Sequence, residues 1–186
     1  MKYAGIINND VVNGQGVCVS FWSQGCPHRC PGCHNPNTWD YKGGIDGDDQ
    51  EVVNHIIDMI HKNGIQRNLS ILGGEPLCNQ NLAFTFGLIM KVKEKYPNIK
   101  IFIWTGYSWE DLMYSVNAEN NVLSVTDCDK LYKIISNTDI LIDGKFVKEL
   151  RNITLPLRGS SNQKVIDAKK SLEKEQIVLY AKDSEI

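Results

Sequence analysis

Apolar residues recur at helical spacing in four segments of the chain. Asp48 and Glu51 open the first segment like a capping box, and five apolar side chains then share one helix face: Val52, Val53, Ile56, Ile57 and Ile60. The second segment has Asn79 as its predicted cap and runs to about residue 95. Two shorter helices are predicted to begin at Ser108 and Thr126, each of which has an aspartate three residues later.

Short apolar runs lie outside these helices, at residues 17–22, 69–72, 100–104, 139–142 and 177–180. Their length and their β-branched content predict strands. Strands that alternate with helices indicate parallel βαβ units, so the chain is predicted to have an α/β fold. Residues 169–175 are rich in charge and are expected to form a solvated stretch.

An unusual loop follows each of the first four predicted strands. These loops are residues 26–33, Gly73-Gly74-Glu75-Pro76, Thr105-Gly106-Tyr107 and Asp143-Gly144-Lys145-Phe146. In parallel α/β folds, ligands bind at the carboxyl ends of the strands. The four loops are therefore expected to meet in one site.

Length and charge narrow the function classes. The chain has 186 residues, a usual size for one domain, and a formal net charge of −2. Non-specific binding to nucleic acid needs a basic face, so no direct nucleic-acid partner is expected. The chain has no apolar run of about 18 residues, and residues 1–10 are too polar for a secretory signal. We therefore expect a cytoplasmic protein with no membrane partner.

Half of the six cysteines fall in one short segment, where Cys26, Cys30 and Cys33 have the spacing C-x3-C-x2-C. A reducing cytosol argues against disulfides. Three thiolates on one loop suit an iron–sulfur cluster with one iron left open to substrate. The alternatives are a zinc site completed by His28 or His34, or three unrelated buried thiols. The other cysteines are expected to pack in the core: Cys18, Cys78 and Cys128.

Three further features admit both a functional and a structural interpretation. Gly73 and Gly74 allow a ligand or a neighbouring strand to approach the backbone closely, and Glu75 could accept hydrogen bonds from a cationic amine. The alternative for this segment is an ordinary turn between a strand and a helix. Trp39 could stack on a ligand ring or pack in the core. The polar loop at residues 158–163 could bind an anion or a partner chain, or only connect two elements.

Together these motifs resemble those of the radical S-adenosylmethionine superfamily. The cysteine triplet followed by Gly-Gly-Glu-Pro is the signature of that superfamily, and residues 33–39 (CHNPNTW) resemble its glycyl-radical-enzyme activases. Residues 104–107 (WTGY), 143–147 (DGKFV) and 158–163 (RGSSNQ) are similar to the activating proteins of anaerobic ribonucleoside-triphosphate reductases. The resemblance covers about residues 3–163.

The resemblance implies a fold and a set of ligands. The fold would be an incomplete (β/α) barrel of the radical S-adenosylmethionine type with a mostly parallel sheet, formed by residues 1–163 and extended by residues 164–186. Cys26, Cys30 and Cys33 would hold a [4Fe–4S] cluster whose open iron binds S-adenosylmethionine. The residues implied to contact S-adenosylmethionine are Gly32, Cys33, His34, Trp39, Gly73, Gly74, Glu75, Thr105 and Asp143. The position before the third cysteine is often aromatic in the wider superfamily, whereas this chain has Gly32.

The resemblance also implies an activity and partners. The protein would cleave S-adenosylmethionine reductively and place a glycyl radical on the large subunit of an anaerobic ribonucleotide reductase, with electrons from a flavodoxin-like donor. No catalytic residue beyond the cluster ligands is expected, because the cluster and the cofactor supply the chemistry. An activase of another glycyl-radical enzyme, such as pyruvate formate-lyase, is one alternative. A zinc-binding interaction module without catalysis is another.

Overall fold

The computed structural model describes residues 1–120 and 123–180. Within them, seven strands form one sheet in the order β3-β1-β2-β4-β5-β6-β7. The strands are β1 (Lys2–Asp10), β2 (Cys18–Ser23), β3 (Ile45–Asp46), β4 (Asn68–Gly73), β5 (Ile101–Trp104), β6 (Ile140–Asp143) and β7 (Lys164–Asp167).

The centre of the sheet is parallel and its edges are antiparallel. β2, β4, β5 and β6 pair in parallel, so that Ile71 lies between Phe21 and Ile103 in register. β1 and β3 add antiparallel strands at one edge, and β7 does so at the other. The predicted α/β class and mostly parallel sheet are thus confirmed, in a sheet that stays open.

Five α-helices accompany the strands in the described part of the chain. They are α1 (Asp49–Ile60), α2 (Asn79–Lys95), α3 (Trp109–Val116), α4 (Val125–Asn137) and α5 (Ala168–Lys174). Two predicted starts are confirmed, because the Asp48 side chain accepts from the first turn of α1 and Ser108 forms a capping box with Asp111. Asn79 is instead the first residue of α2, and Ser124 rather than Thr126 caps α4.

Several elements differ from the sequence prediction. The strands β1, β3 and β7 were not predicted. Residues 169–175 are mostly exposed, as predicted for a solvated stretch, but most of them form helix α5, which was not predicted. The predicted strand at residues 177–180 is wrong, because it is reduced to an isolated bridge between Leu179 and Ile166. Polar residues at both ends of β7 leave only Val165 and Ile166 buried, which is too short a pattern to predict a strand.

The core lies between the parallel strands and the helices. It includes α1, α2 and α4 through Ile56, Ile60, Leu88, Ile89 and Ile134, all fully buried. Cys18, Cys78 and Cys128 are also buried, as the sequence predicted. Among the described residues no helix is long and apolar enough to cross a membrane.

Candidate functional site

One cavity opens where the parallel strands end, and most of the predicted site residues line it. Nine predicted residues line this cavity: Cys26, Cys30, Cys33, His34, Trp39, Gly73, Gly74, Glu75 and Thr105. Gly32 and Asp143 are not among its lining residues. The loops after β2, β4 and β5 therefore meet as parallel topology requires.

The cysteine loop folds back on itself and is fastened at its base. The Cys33 amide donates to the Cys30 carbonyl at 3.0 Å, and Gly32 takes a φ of +77° to complete the turn. At the base, the Gly25 amide donates to the Thr38 carbonyl at 2.8 Å. These bonds place three thiols along the wall of one cavity.

The three thiols have the chemistry that an iron–sulfur cluster requires. None of them is in a disulfide, and the Asn35 amide lies 3.4 Å from Cys33 Sγ, where it can donate to the sulfur. Burial, with a smaller contribution from the charge of Glu75, raises the pKa of the Cys26 thiol to about 11. Burial also raises the pKa of Cys30. Both thiols must release a proton when they bind iron.

The zinc alternative would need ligands that converge on one point. Within residues 1–120 and 123–180, no three His, Cys, Asp or Glu side chains converge closely enough to hold one metal ion. A single tetrahedral zinc draws its sulfur ligands to about 2.3 Å from one point. A four-iron cluster binds each of its cysteines at a different iron.

The two glycines of the Gly-Gly-Glu-Pro turn allow β4 to end against the backbone that follows β2. Gly73 has a φ of +108°, and a Cβ there would lie 2.4 Å from the Ser23 amide nitrogen. A Cβ on Gly74 would lie 2.2 Å from the Gly25 carbonyl oxygen. The Gly74 and Glu75 amides donate to the Ser23 and Gly25 carbonyls, each at 2.8 Å. The glycines thus bring the turn and the start of the cysteine loop into direct contact.

Glu75 is 1% exposed and its carboxylate is bonded to several loops. Oε1 accepts from the Thr105 hydroxyl at 2.8 Å and from the Leu77 amide at 3.0 Å. Oε2 accepts from the Gly106 amide at 2.7 Å and lies 2.9 Å from Nε2 of His28. The carboxylate that the sequence offered to a cationic amine is therefore already supplied with protein partners.

Asp143 and Gly32 do not line the cavity, Asp143 being in the interior and Gly32 at an exposed position. Asp143 is 1% exposed, and it accepts from the Trp109 and Lys164 amides, each at 2.9 Å. It joins the end of β6 to the start of α3 and to β7. A Cβ on Gly32 would lie 3.4 Å from the Phe146 ring and the Lys148 side chain, so the loop after β6 contacts one side of this glycine.

The cavity is also lined by residues that were not among the predicted ligand contacts. The thirteen further lining residues are Asn13, Trp22, His28, Thr38, Leu72, Trp104, Gly106, Gly144, Lys145, Phe146, Leu157, Gly159 and Gln163. His28, Gly106 and residues 144–146 belong to the loops that the sequence predicted to meet in one site, so that prediction is confirmed, although these residues were not predicted to contact S-adenosylmethionine. Trp22 and Trp104 stand at the ends of parallel strands, a position that also marks site residues. Trp22 Nε1 is buried and has no hydrogen-bond partner among the described residues.

The loop at residues 158–163 is ordered by its own side chains. Oε1 of Gln163 accepts from the Gly159 amide at 2.9 Å and from the Ser160 amide at 3.2 Å. The Arg158 guanidinium donates to the Gln163 carbonyl at 3.1 Å. Gly159 and Gln163 line the cavity, so this loop forms one of its walls.

The sequence matches known proteins over most of its length. Residues 12–166 match the family described as "4Fe-4S single cluster domain". The chain is also similar to proteins named "Anaerobic ribonucleoside-triphosphate reductase-activating protein". It is 31% identical over 166 residues to that of Haemophilus influenzae, covering 88% of this chain and 96% of the relative.

Two further relatives give the same picture. The chain is 32% identical to the protein of that name from Escherichia coli K12, covering 89% of this chain and 97% of the relative. It is 34% identical to the one from Vibrio cholerae, covering 88% and 96%. Identity of this order over nearly the whole of both chains shows common ancestry. The chain belongs to the family of anaerobic ribonucleoside-triphosphate reductase-activating proteins, which carries a 4Fe–4S domain.

Proposed function

We propose that this protein activates an anaerobic ribonucleoside-triphosphate reductase by generating a glycyl radical on its large subunit. The observation that carries the proposal is the meeting of three unpaired thiols with the Gly-Gly-Glu-Pro turn in one cavity. When bound, a [4Fe–4S] cluster and S-adenosylmethionine would supply the chemistry, a one-electron reductive cleavage to methionine and a 5′-deoxyadenosyl radical.

In this proposal the chain binds the cluster and S-adenosylmethionine and orients them. Cys26, Cys30 and Cys33 hold the cluster, and their backbone turn fixes the spacing of the sulfurs. The buried, unpartnered Nε1 of Trp22 on the same cavity wall fits a site that receives a polar ligand. The proposed contacts with S-adenosylmethionine are Cys33, His34, Trp39, Gly73, Gly74, Glu75 and Thr105, which line the cavity, whereas Gly32 and Asp143, which do not, are proposed to support its walls. Of the proposed contacts, Glu75 and Thr105 are bonded to each other, so they act through the shape and charge of the wall.

The proposal extends to fold, partners and location. The open sheet is proposed to be an incomplete barrel of the radical S-adenosylmethionine type, formed by residues 1–163 and extended by residues 164–186. Residues 181–186 of that extension lie outside the described residues. A flavodoxin-like protein is the proposed electron donor, in the cytoplasm. A pyruvate formate-lyase activase is the runner-up, disfavoured by the 158–163 loop.

Anaerobic reconstitution of the Cys30→Ala variant tests the proposal. We expect the wild-type protein to hold about four iron and four sulfide per chain, as one [4Fe–4S] cluster requires. With a reductant, it should convert S-adenosylmethionine to methionine and 5′-deoxyadenosine. Cys30→Ala should abolish cleavage while the circular dichroism spectrum is preserved, and Cys128→Ala, a buried thiol away from the cavity, should retain the cluster.

The partner is tested by mixing the reduced protein with S-adenosylmethionine and a candidate reductase. A glycyl-radical doublet in the EPR spectrum of the reductase is the expected result. A doublet formed only with pyruvate formate-lyase would favour the runner-up. Stoichiometric zinc without sulfide would contradict both and support an interaction module.

A further inference from the structure

His28 lies inside the cysteine motif, yet its side chain turns away from solvent. The side chain is 7% exposed, and Nε2 lies 2.9 Å from Oε2 of Glu75. Its ring meets the ring of Tyr107 edge-on, with centroids 4.6 Å apart. Gly106 leaves room for it, because a Cβ at that position would lie 2.3 Å from Cδ2 of His28. The loop after β5 therefore packs closely around this imidazole.

Glu75 connects His28 and the loop after β5 to the turn after β4. The Gly106 amide donates to the same oxygen as His28, and the Thr105 hydroxyl donates to the other oxygen. The Tyr107 amide donates to Thr105 Oγ1 at 3.1 Å, which directs the hydroxyl proton toward Glu75. One buried carboxylate thus joins the loops that follow β2, β4 and β5.

We propose that His28 is a positioning residue. Through its contact with Glu75, it holds the cysteine loop against the loops that follow β4 and β5. The His28–Glu75 contact holds Cys26 and Cys30 in position on the cavity wall before any ligand binds. A loop ordered in advance loses less conformational freedom when its ligand arrives, so binding is tighter. Because Glu75 engages Nε2, this nitrogen is not available as a fourth metal ligand. The inference rests on the proposed function only for the identity of the group that the thiols hold.

Three variants distinguish the effect of the His28–Glu75 contact from the effect of general packing. His28→Leu removes the donor to Glu75, whereas His28→Gln keeps an N–H near the same place. Gly106→Ala leaves His28 and Glu75 intact, but the added Cβ displaces the imidazole from its position beside Gly106. Gly87→Ala, on α2 with no atom within 4 Å of the added Cβ, is the matched control.

The first measurement uses the metal-free protein and iodoacetamide, with mass spectrometry of each cysteine. We expect Cys26 and Cys30 to react about tenfold faster in His28→Leu and Gly106→Ala, since one hydrogen bond to a charged group is worth about an order of magnitude in an equilibrium. Cys128, buried on α4, should react as slowly as in the wild type. His28→Gln should lie close to the wild type, and Gly87→Ala should match it.

The second measurement is iron loss from the reconstituted protein to a chelator. Residues that orient metal ligands typically contribute about 10- to 100-fold to metal affinity, so faster loss is expected in the same two variants. Wild-type rates in both measurements for His28→Leu and Gly106→Ala would overturn the inference. Equal acceleration at Cys128 would also overturn it, because His28 would then be a packing residue for the whole fold. A wild-type protein that binds no cluster would refute the proposed function. The difference in alkylation rates between the variants and the wild type would still test the role of the His28–Glu75 contact.

Discussion

Single buried residues behind the cavity wall hold its loops in position. Asp143 is the clearest example, because its carboxylate accepts the Trp109 amide at one oxygen and the Lys164 amide at the other. The Lys164 ammonium lies 3.4 Å away, and Asp143 itself is 1% exposed. A side chain placed this way fixes the end of β6 without facing the cavity.

Asp143→Ala should lower the free energy of unfolding by about 1–3 kcal/mol, since one buried and one partly buried amide donor lose their acceptor. Urea unfolding measures the loss, and Asp58→Ala, at an exposed position on α1, is the control. Unchanged stability together with lost binding of S-adenosylmethionine would contradict this structural role. It would instead favour the direct contact implied by the sequence resemblance.

At the scale of elements, the capping box of α3 couples the site to the rest of the fold. The Ser108 hydroxyl accepts from the Asp111 amide at 3.1 Å, and the Asp111 carboxylate accepts from the Ser108 amide at 3.1 Å. This cap starts the helix whose first residue, Trp109, donates to Asp143. Weakening the cap should therefore be felt at the end of β6.

Ser108→Ala should destabilise the protein by about 1 kcal/mol, the usual contribution of such a cap. Ser115→Ala in the same helix is the matched control, because its hydroxyl only donates to the Asp111 carbonyl. Thermal or urea unfolding of the two variants compares them directly. Equal stabilities would show that the cap adds nothing beyond helix propensity.

The accuracy of the sequence prediction varied with the range of the interactions involved. α1 was predictable because its cap and its apolar face lie within 13 consecutive residues, from Asp48 to Ile60. β1 was not, because its residues are mostly half-buried and it ends in Asn8-Asn9-Asp10, so that only pairing with β2 and β3 makes it a strand. The bonds of Glu75 depend on three loops that are distant in sequence, and no local pattern indicates them.

For the whole molecule, the parallel centre depends on the strand that covers its edge. β7 pairs with β6 along its full length and contributes Ile166, which is fully buried. Leu179 is bridged to Ile166 but is 53% exposed. The C-terminal part of the described chain is therefore built into the same core that supports the cysteine cavity.

Ile166→Ala should lower the free energy of unfolding by about 2–5 kcal/mol, because a buried side chain is lost and a cavity remains. Leu179→Ala, at its exposed bridge partner, should change it by less than about 0.5 kcal/mol. Urea unfolding followed by both tryptophan fluorescence and circular dichroism should show one shifted transition for Ile166→Ala, since β7 and the parallel strands share one core. A second, separate transition would contradict this, because the C-terminal strand would then unfold independently of the sheet that carries the site.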